Sequence, residues 1–167
     1  MYSRVYVEIT NICNMRCSFC HGHSRAPRQM TEAEYGRVLQ QLAGKTQYIY
    51  HHLMGEPLVH PQLPRFIQMA QEAGFHPMLT TNGTLLARLG NTLLIPGLHK
   101  VNISLHSFEG DQPQDAYIHA VSDFARKANR LGIIISLRLW NNGCDEGRND
   151  TALTLLQKNL PGEWTEN

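Results

Sequence analysis

Three of the chain's four cysteines, Cys13, Cys17 and Cys20, are spaced C-x3-C-x2-C in one short segment, named here the cysteine loop (residues 13–20). Thiolates at this density are typical of sites for zinc, copper(I) or iron–sulfur clusters. The run before the loop, residues 4–10, has an alternating strand pattern. The cysteine loop is therefore expected at the carboxyl end of a first strand, where α/β folds place their chemistry.

The spacing of the thiols leaves three alternatives to a cluster open. A zinc ion would be held by the three cysteines, with His21 or His23 completing a Cys3His tetrahedron. Cys17, Cys20 and His21 also satisfy the C-x-x-C-H pattern of haem attachment, which leaves Cys13 unused. In the third alternative the thiols carry no ligand.

Four further segments have strand patterns and alternate with helical patterns. The strand segments are short and rich in β-branched residues: 46–51, 75–80, 100–105 and 133–140. The helical segments run over residues 31–44, 63–74, briefly after residue 83, and over residues 115–131 and 149–159. Strands that alternate with helices predict an α/β fold with a parallel sheet and right-handed crossovers. A Rossmann-like sheet and a partial (β/α) barrel satisfy this pattern equally well.

Composition narrows the class of protein. The chain has 167 residues, which suits one domain over residues 1–167, and 42% of them are hydrophobic. A formal net charge of +1 and the lack of a basic run argue against nucleic-acid binding. We find no signal-peptide pattern and no apolar run long enough to cross a membrane. Clustered thiols without a secretion signal favour a reducing compartment, so the expected location is the cytoplasm.

Three further segments follow the cysteine loop along the chain and carry recognisable motifs. They are the GEP turn (residues 54–57, Met-Gly-Glu-Pro), the TNG turn (residues 81–83, Thr-Asn-Gly) and the run 101–106. With the cysteine loop, they resemble the radical S-adenosylmethionine (radical SAM) superfamily. The resemblance implies a partial (β/α) barrel with about five βα units. It also implies a 4Fe–4S cluster on Cys13, Cys17 and Cys20, with the fourth iron left for S-adenosylmethionine. A zinc site would not need the GEP and TNG turns.

The GEP turn resembles the family's GGE motif, with Met54 in place of the first glycine. The resemblance implies that Gly55, Glu56 and Pro57 lie against the methionine amino group of the cofactor. From the residues alone, a glycine followed by a proline also fits a simple strand-to-helix turn.

The remaining implied cofactor contacts are spread along the chain. Asn82 and Ser104 would contact the ribose or the carboxylate, and Phe19 would lie near the adenine. Arg138 could pair with the cofactor carboxylate in a bidentate manner. Each residue also has a structural alternative without a cofactor. Asn82 would belong to a turn, Ser104 would only pack against its neighbours, Arg138 would lie on the surface and Phe19 would lie in the core.

Other residues of chemical interest have ordinary explanations. His51 and His52 are adjacent on one predicted strand, so they are expected to face opposite sides of the sheet. A structural role is the default for both and for His106. Cys144 lies far from the triplet in sequence and is interpreted as a free loop thiol.

The resemblance implies an enzyme. Reduced by a donor such as flavodoxin or ferredoxin, it would cleave S-adenosylmethionine to a 5′-deoxyadenosyl radical that abstracts hydrogen from a small molecule or a peptide. Family cores usually have six βα units, so the last barrel unit and any C-terminal auxiliary-cluster domain are expected to be absent. A five-unit sheet would have an open edge at its fifth strand, which invites self-association. The alternative hypothesis is a cluster-binding fragment or subunit that needs a partner.

Overall fold

A computed structural model describes residues 1–105, 114–139 and 148–160 and contains one five-stranded sheet. The strands are β1 (Val5–Val7), β2 (Tyr48–His51), β3 (His76–Thr81), β4 (Lys100–Ser104) and β5 (Ile134–Arg138). All neighbours are parallel and the spatial order is β1-β2-β3-β4-β5. Each strand lies beside its predecessor in sequence. This order is that of a (β/α) barrel wall, because a Rossmann sheet reverses direction at a switch point.

The connections are helical and confirm the predicted alternation. The helices are α1 (Glu32–Leu42), α2 (Leu63–Glu72), α3 (Leu86–Leu89), α4 (Gln114–Arg130) and α5 (Arg148–Asn159), with short 3-10 turns at Pro57–Val59 and Gly90–Leu93. α1 begins with a capping box that is present in both directions: Thr31 accepts a hydrogen bond from the Glu34 backbone N–H, and the Glu34 carboxylate accepts one from the Thr31 backbone. No described helix is both long and apolar enough to span a lipid bilayer.

β1 is shorter than the sequence predicts. The segment that follows Val7 leaves the main sheet and runs antiparallel to residues 28–30. Thr10 bridges Gln29, and the Met30 N–H donates to the Ile9 carbonyl at 2.8 Å. The prediction of a strand over residues 4–10 is therefore wrong at its carboxyl end. The backbone there is paired, but its partner is the segment that returns from the cysteine loop.

The two faces of the sheet differ in chemistry. The helix-covered face contains the main apolar core, including Ile49, Leu79 and Val101. His51 is fully buried on this face, and its Nε2 lies 2.7 Å from the Tyr35 hydroxyl of α1. His52 is on the opposite face, with its ring centroid 6.0 Å from that of Tyr6. The prediction that these two histidines face opposite sides is confirmed.

Within the described residues, β5 pairs on one side only, with β4. Ile134 is 48% exposed at the start of this strand. Self-association through this edge stays a prediction. Trp140, the last residue of the predicted strand, lies outside the described residues.

Candidate cofactor site at the carboxyl ends of the strands

The cysteine loop carries three thiols that form no disulfide. Cys13 and Cys20 are exposed, and Cys17 is partly buried. The Met15 backbone N–H donates to Cys13 Sγ, and the Gly22 N–H donates to Cys20 Sγ, each at 3.4 Å. N–H groups directed at sulfur are typical of cluster-ligating cysteines, whose charge they stabilise. The donor set therefore fits an iron–sulfur cluster held by three thiolates.

A single-ion site is not preformed among the described residues. No group of three or more His, Cys, Asp or Glu side chains there is arranged to hold one metal ion. His23, one of the two histidines considered for zinc, has its Nε2 at 2.7 Å from the Asn11 carbonyl oxygen. A cluster distributes its cysteines over separate irons, so its ligands need not converge on one point.

The GEP turn is pressed against the segment that enters the cysteine loop. Gly55 has a φ of +79°, and a Cβ built there would meet the Thr10 carbonyl oxygen at 2.5 Å and the Ile12 carbonyl oxygen at 2.9 Å. The Glu56 N–H donates to the Ile12 carbonyl at 2.9 Å. Glycine is thus required because the chain's own backbone comes close, a reason that the sequence did not indicate. Contact of the turn with a cofactor stays a prediction.

Glu56 connects the GEP turn to the TNG turn. Its side chain is 2% exposed and accepts hydrogen bonds from the Leu58 N–H at 3.0 Å, the Thr81 hydroxyl at 2.7 Å and the Asn82 N–H at 2.7 Å. Burial raises the pKa of Glu56, and the three donors oppose that shift because they stabilise the carboxylate. Both carboxylate oxygens are therefore used inside the protein, and the side chain braces the ends of β2 and β3.

Asn82 faces the cysteine loop. Its Oδ1 accepts from the Thr84 N–H at 3.0 Å and the Thr84 hydroxyl at 2.7 Å. Its Nδ2 donates to Asn14 Oδ1 at 3.1 Å and lies 4.0 Å from Cys13 Sγ. Asn14 Nδ2 in turn donates to Thr84 Oγ1 at 2.9 Å. We name Asn14, Asn82 and Thr84 the asparagine clasp.

Sequence reasoning missed two of the clasp residues, Asn14 and Thr84; Thr84 lies only two residues from Asn82, but the partners of Asn14 are remote. Asn14 lies 68 residues from Asn82 and 70 from Thr84, so no local pattern links them. Its position between two cysteines was the one available signal.

A second long-range interaction, which sequence reasoning also missed, involves the Glu8 carboxylate at the end of β1. Glu8 pairs with Arg25 at 2.6 Å, and its other oxygen accepts from the Met54 N–H at 3.2 Å. Burial raises the pKa of Glu8, but Arg25 and the Met54 N–H outweigh it, so the pKa is lowered. The carboxylate connects the segment after the cysteine loop to the GEP turn.

The other predicted contacts lie at the same end of the sheet or on the loop. Ser104 and Arg138 are partners in the register of β4 and β5, and both are partly buried. Burial lowers the pKa of His52, and the charge of Arg138 adds to this effect. Phe19 is 43% exposed. Whether these side chains contact a cofactor stays a prediction; His106 and Cys144 lie outside the described residues.

Comparisons with known proteins agree with this arrangement. The chain is 33% identical over 113 residues to the GTP 3′,8-cyclase of Chlorobaculum tepidum, which covers 65% of this chain and 34% of that protein. It is 31% identical to a probable GTP 3′,8-cyclase of Thermococcus kodakarensis, covering 96% of this chain and 58% of the relative. The chain thus spans about a third of the Chlorobaculum tepidum protein and little more than half of the Thermococcus kodakarensis protein.

Solved structures share the fold. SuiB of Streptococcus suis, bound to S-adenosylmethionine, matches with a TM-score of 0.68 at 18% identity, over 93% of this chain and 38% of that one. BtrN, in complex with AdoMet and 2-DOIA, matches with a TM-score of 0.62 at 24% identity, over 83% of this chain and 57% of that one. These likenesses support the partial barrel.

The family model described as the radical SAM superfamily matches residues 7–137, which include the cysteine loop, the GEP turn and the TNG turn. The cofactors of this family are a 4Fe–4S cluster and S-adenosylmethionine, and the three thiols, which form no disulfide, suit the first of them. The chain belongs to the radical SAM superfamily.

Proposed function

We propose that this chain binds a 4Fe–4S cluster through Cys13, Cys17 and Cys20 and cleaves S-adenosylmethionine reductively. The observation that carries the proposal is the cysteine loop, held at the carboxyl end of β1 against the GEP and TNG turns. When bound, the two cofactors supply a one-electron cleavage that yields methionine and a 5′-deoxyadenosyl radical. The chain's own residues ligate the cluster, orient S-adenosylmethionine and exclude water from the site.

The proposed cofactor contacts follow the strand ends. Gly55, Glu56 and Pro57 present backbone groups to the methionine amino group, because the Glu56 carboxylate is already occupied within the chain. Ser104 and Arg138, adjacent in register, receive the carboxylate or the ribose. Phe19, which is 43% exposed on the cysteine loop, would stack on the adenine. Asn82 was expected to contact the ribose or the carboxylate, but its amide is engaged by Asn14 and Thr84.

The reaction needs a donor of single electrons, for which flavodoxin or ferredoxin is the proposed partner, and a reducing compartment such as the cytoplasm. The proposed substrate is a small molecule or a peptide. GTP is not assigned as the substrate, because the similarity covers about a third of the Chlorobaculum tepidum cyclase.

The test is product formation under anaerobic reduction. Reconstituted protein given S-adenosylmethionine and dithionite should form 5′-deoxyadenosine, and the cofactor should alter the electron paramagnetic resonance spectrum of the reduced cluster. Cys17→Ala should abolish both signals, whereas Cys144→Ala, the matched cysteine control, should keep them. A loaded cluster with an unchanged spectrum at saturating cofactor would contradict the proposed open iron site.

A second candidate function is a cluster-binding subunit that turns over only with a partner. The observation that favours it is β5, which pairs on one side within the described residues. Solution mass and 5′-deoxyadenosine formation, measured on the same anaerobic sample, separate the two candidates. An active monomer supports the enzyme, and a loaded but inactive chain that is rescued in an assembly supports the subunit.

A further inference from the structure

The asparagine clasp ties the end of β3 to the first cysteine of the cysteine loop. We propose that Asn82 is a positioning residue for the Cys13 ligand: it fixes the loop through Asn14 and Thr84, and it directs an Nδ2–H bond at Cys13 Sγ. The inference rests on the proposed function only for the presence of the cluster.

The orientation of the Asn82 amide is determined by its surroundings. The Thr84 backbone N–H lies 3.0 Å from Asn82 Oδ1, and a backbone N–H can only donate, so the atom facing it must be the acceptor oxygen. The Thr84 hydroxyl donates to the same oxygen at 2.7 Å. The Nδ2 group must therefore face the cysteine loop, which removes the usual ambiguity between amide oxygen and nitrogen.

The two Nδ2 hydrogens have two candidate acceptors. One goes to Asn14 Oδ1 at 3.1 Å, and the other faces Cys13 Sγ at 4.0 Å, the long end of the range for sulfur acceptors. Asn14 is the residue that follows Cys13 in the chain. By holding Asn14, Asn82 also sets the direction of the neighbouring thiol, and Thr84 closes the ring of bonds.

Such a donor has a definite chemical effect on a cluster. Asn82 is 8% exposed and its contact with Cys13 is partly buried, and a hydrogen bond that is partly removed from water is electrostatically stronger than a fully exposed one. An N–H directed at a ligating sulfur stabilises the extra negative charge of the reduced cluster, which raises its reduction potential. The Met15 N–H already donates to Cys13 Sγ at 3.4 Å. Asn82 adds a side-chain donor, which substitution can remove without altering the backbone.

This assignment differs from the cofactor contact that the family resemblance implies for Asn82. The side-chain oxygen has two donors and the nitrogen has one close acceptor and one sulfur in reach. A bond to a ribose or a carboxylate would have to replace one of these contacts. The clasp is complete without a ligand.

The first experiment measures the midpoint potential of the cluster by redox titration followed by electron paramagnetic resonance. Asn82→Asp keeps an acceptor for Thr84 but replaces the donor with a charged oxygen, so the potential should fall relative to the unsubstituted protein. Asn82→Ala should lower it less. Thr84→Val is the matched control: it breaks the clasp but leaves the Asn82 N–H, so its potential should stay nearer to that of the unsubstituted protein. Equal potentials in fully loaded Asn82→Asp and unsubstituted protein would overturn the inference.

The second experiment needs no cluster. Amide hydrogen exchange of metal-free protein should be several-fold faster around Cys13 in Asn82→Ala and in Thr84→Val, because both open the clasp. If the Asn82 variants do not load a cluster, this measurement decides, and unchanged exchange overturns the inference. Failure of the unsubstituted protein to bind a cluster would instead count against the proposed function.

Discussion

Two neighbouring parts of the site differ sharply in how they are held. The TNG turn is buried, and so is Glu56 of the GEP turn: Glu56 is 2% and Asn82 8% exposed, and the side chains of both bond to other residues of the chain. The cysteine loop is open: Cys13 and Cys20 are exposed, and Phe19 is 43% exposed. The buried side chains hold the strand ends together, and the exposed loop carries the cysteines that are proposed to bind the cluster.

The largest effect is expected from Gly55→Ala. The new Cβ would lie 2.5 Å from the Thr10 carbonyl oxygen at a positive φ, so the two segments must separate. We expect a loss of about 3 kcal/mol or more in the free energy of unfolding, because a clash with backbone adds to the conformational cost. Urea unfolding of the metal-free protein measures it.

Gly44→Ala is the matched control for this substitution. Gly44 has a φ of +73° but no atom within 4 Å of its built Cβ. It should cost only about 1 kcal/mol, the conformational part alone. Equal losses in the two variants would show that the GEP turn does not press on the segment that enters the cysteine loop.

The next effect is the pH dependence of stability that comes from the buried side chain of His51. Burial lowers the pKa of His51 from 6.5 to about 4, so the folded protein keeps this ring neutral while the unfolded chain takes up a proton. Stability from this residue is present above pH 6.5 and is lost as the pH falls towards 4. The loss should reach about 3 kcal/mol. Urea unfolding at several pH values measures this, and the free energy of unfolding should depend less on pH in His51→Gln than in the unsubstituted protein.

Tyr35→Phe is the comparison variant for the pH dependence of the free energy of unfolding. It removes the hydroxyl that lies 2.7 Å from His51 Nε2 but leaves the ring buried. Stability should fall by about 1–3 kcal/mol at neutral pH, while the pH dependence persists. A pH dependence unchanged in His51→Gln would assign the acid sensitivity to other groups.

A smaller effect is expected from Glu56→Gln. The amide nitrogen would replace one acceptor oxygen and face either the Asn82 N–H or the Thr81 and Leu58 donors. We expect a loss of about 1–3 kcal/mol from the donors left without an acceptor, measured by urea unfolding. Glu72→Gln, at an exposed pair with Arg65, should change stability by less than about 1 kcal/mol. A neutral result for Glu56→Gln would indicate that the carboxyl group is protonated in the folded chain.

The sequence predicts most of the fold because its signals are local. The capping box, for example, consists of Thr31 and Glu34, which lie three residues apart at the start of α1. The strand alternation gave a parallel sheet, and the family resemblance selected the barrel order. The shortened β1 could not be predicted, because residues 9–11 form an acceptable strand whose partner is the returning segment at residues 28–30.

The sequence predicts candidate ligands for the site, the three cysteines, but not the residues that support them. That the cysteines hold a cluster stays a prediction. The spacing of the three cysteines carries their chemistry directly. The supports are long-range pairs: Glu56 with Thr81, and Asn82 with Asn14, which no periodicity or composition connects. They become visible only when the strand ends are brought together.

The central claim is that the thiols of the cysteine loop carry a 4Fe–4S cluster. The most direct measurement is the iron and sulfide content of anaerobically reconstituted protein. The unsubstituted chain and Cys144→Ala should hold about four irons and four sulfides per chain, and alanine at Cys13, Cys17 or Cys20 should remove most of both. One zinc per chain without broad visible absorption, or full iron content in Cys17→Ala, would contradict the account.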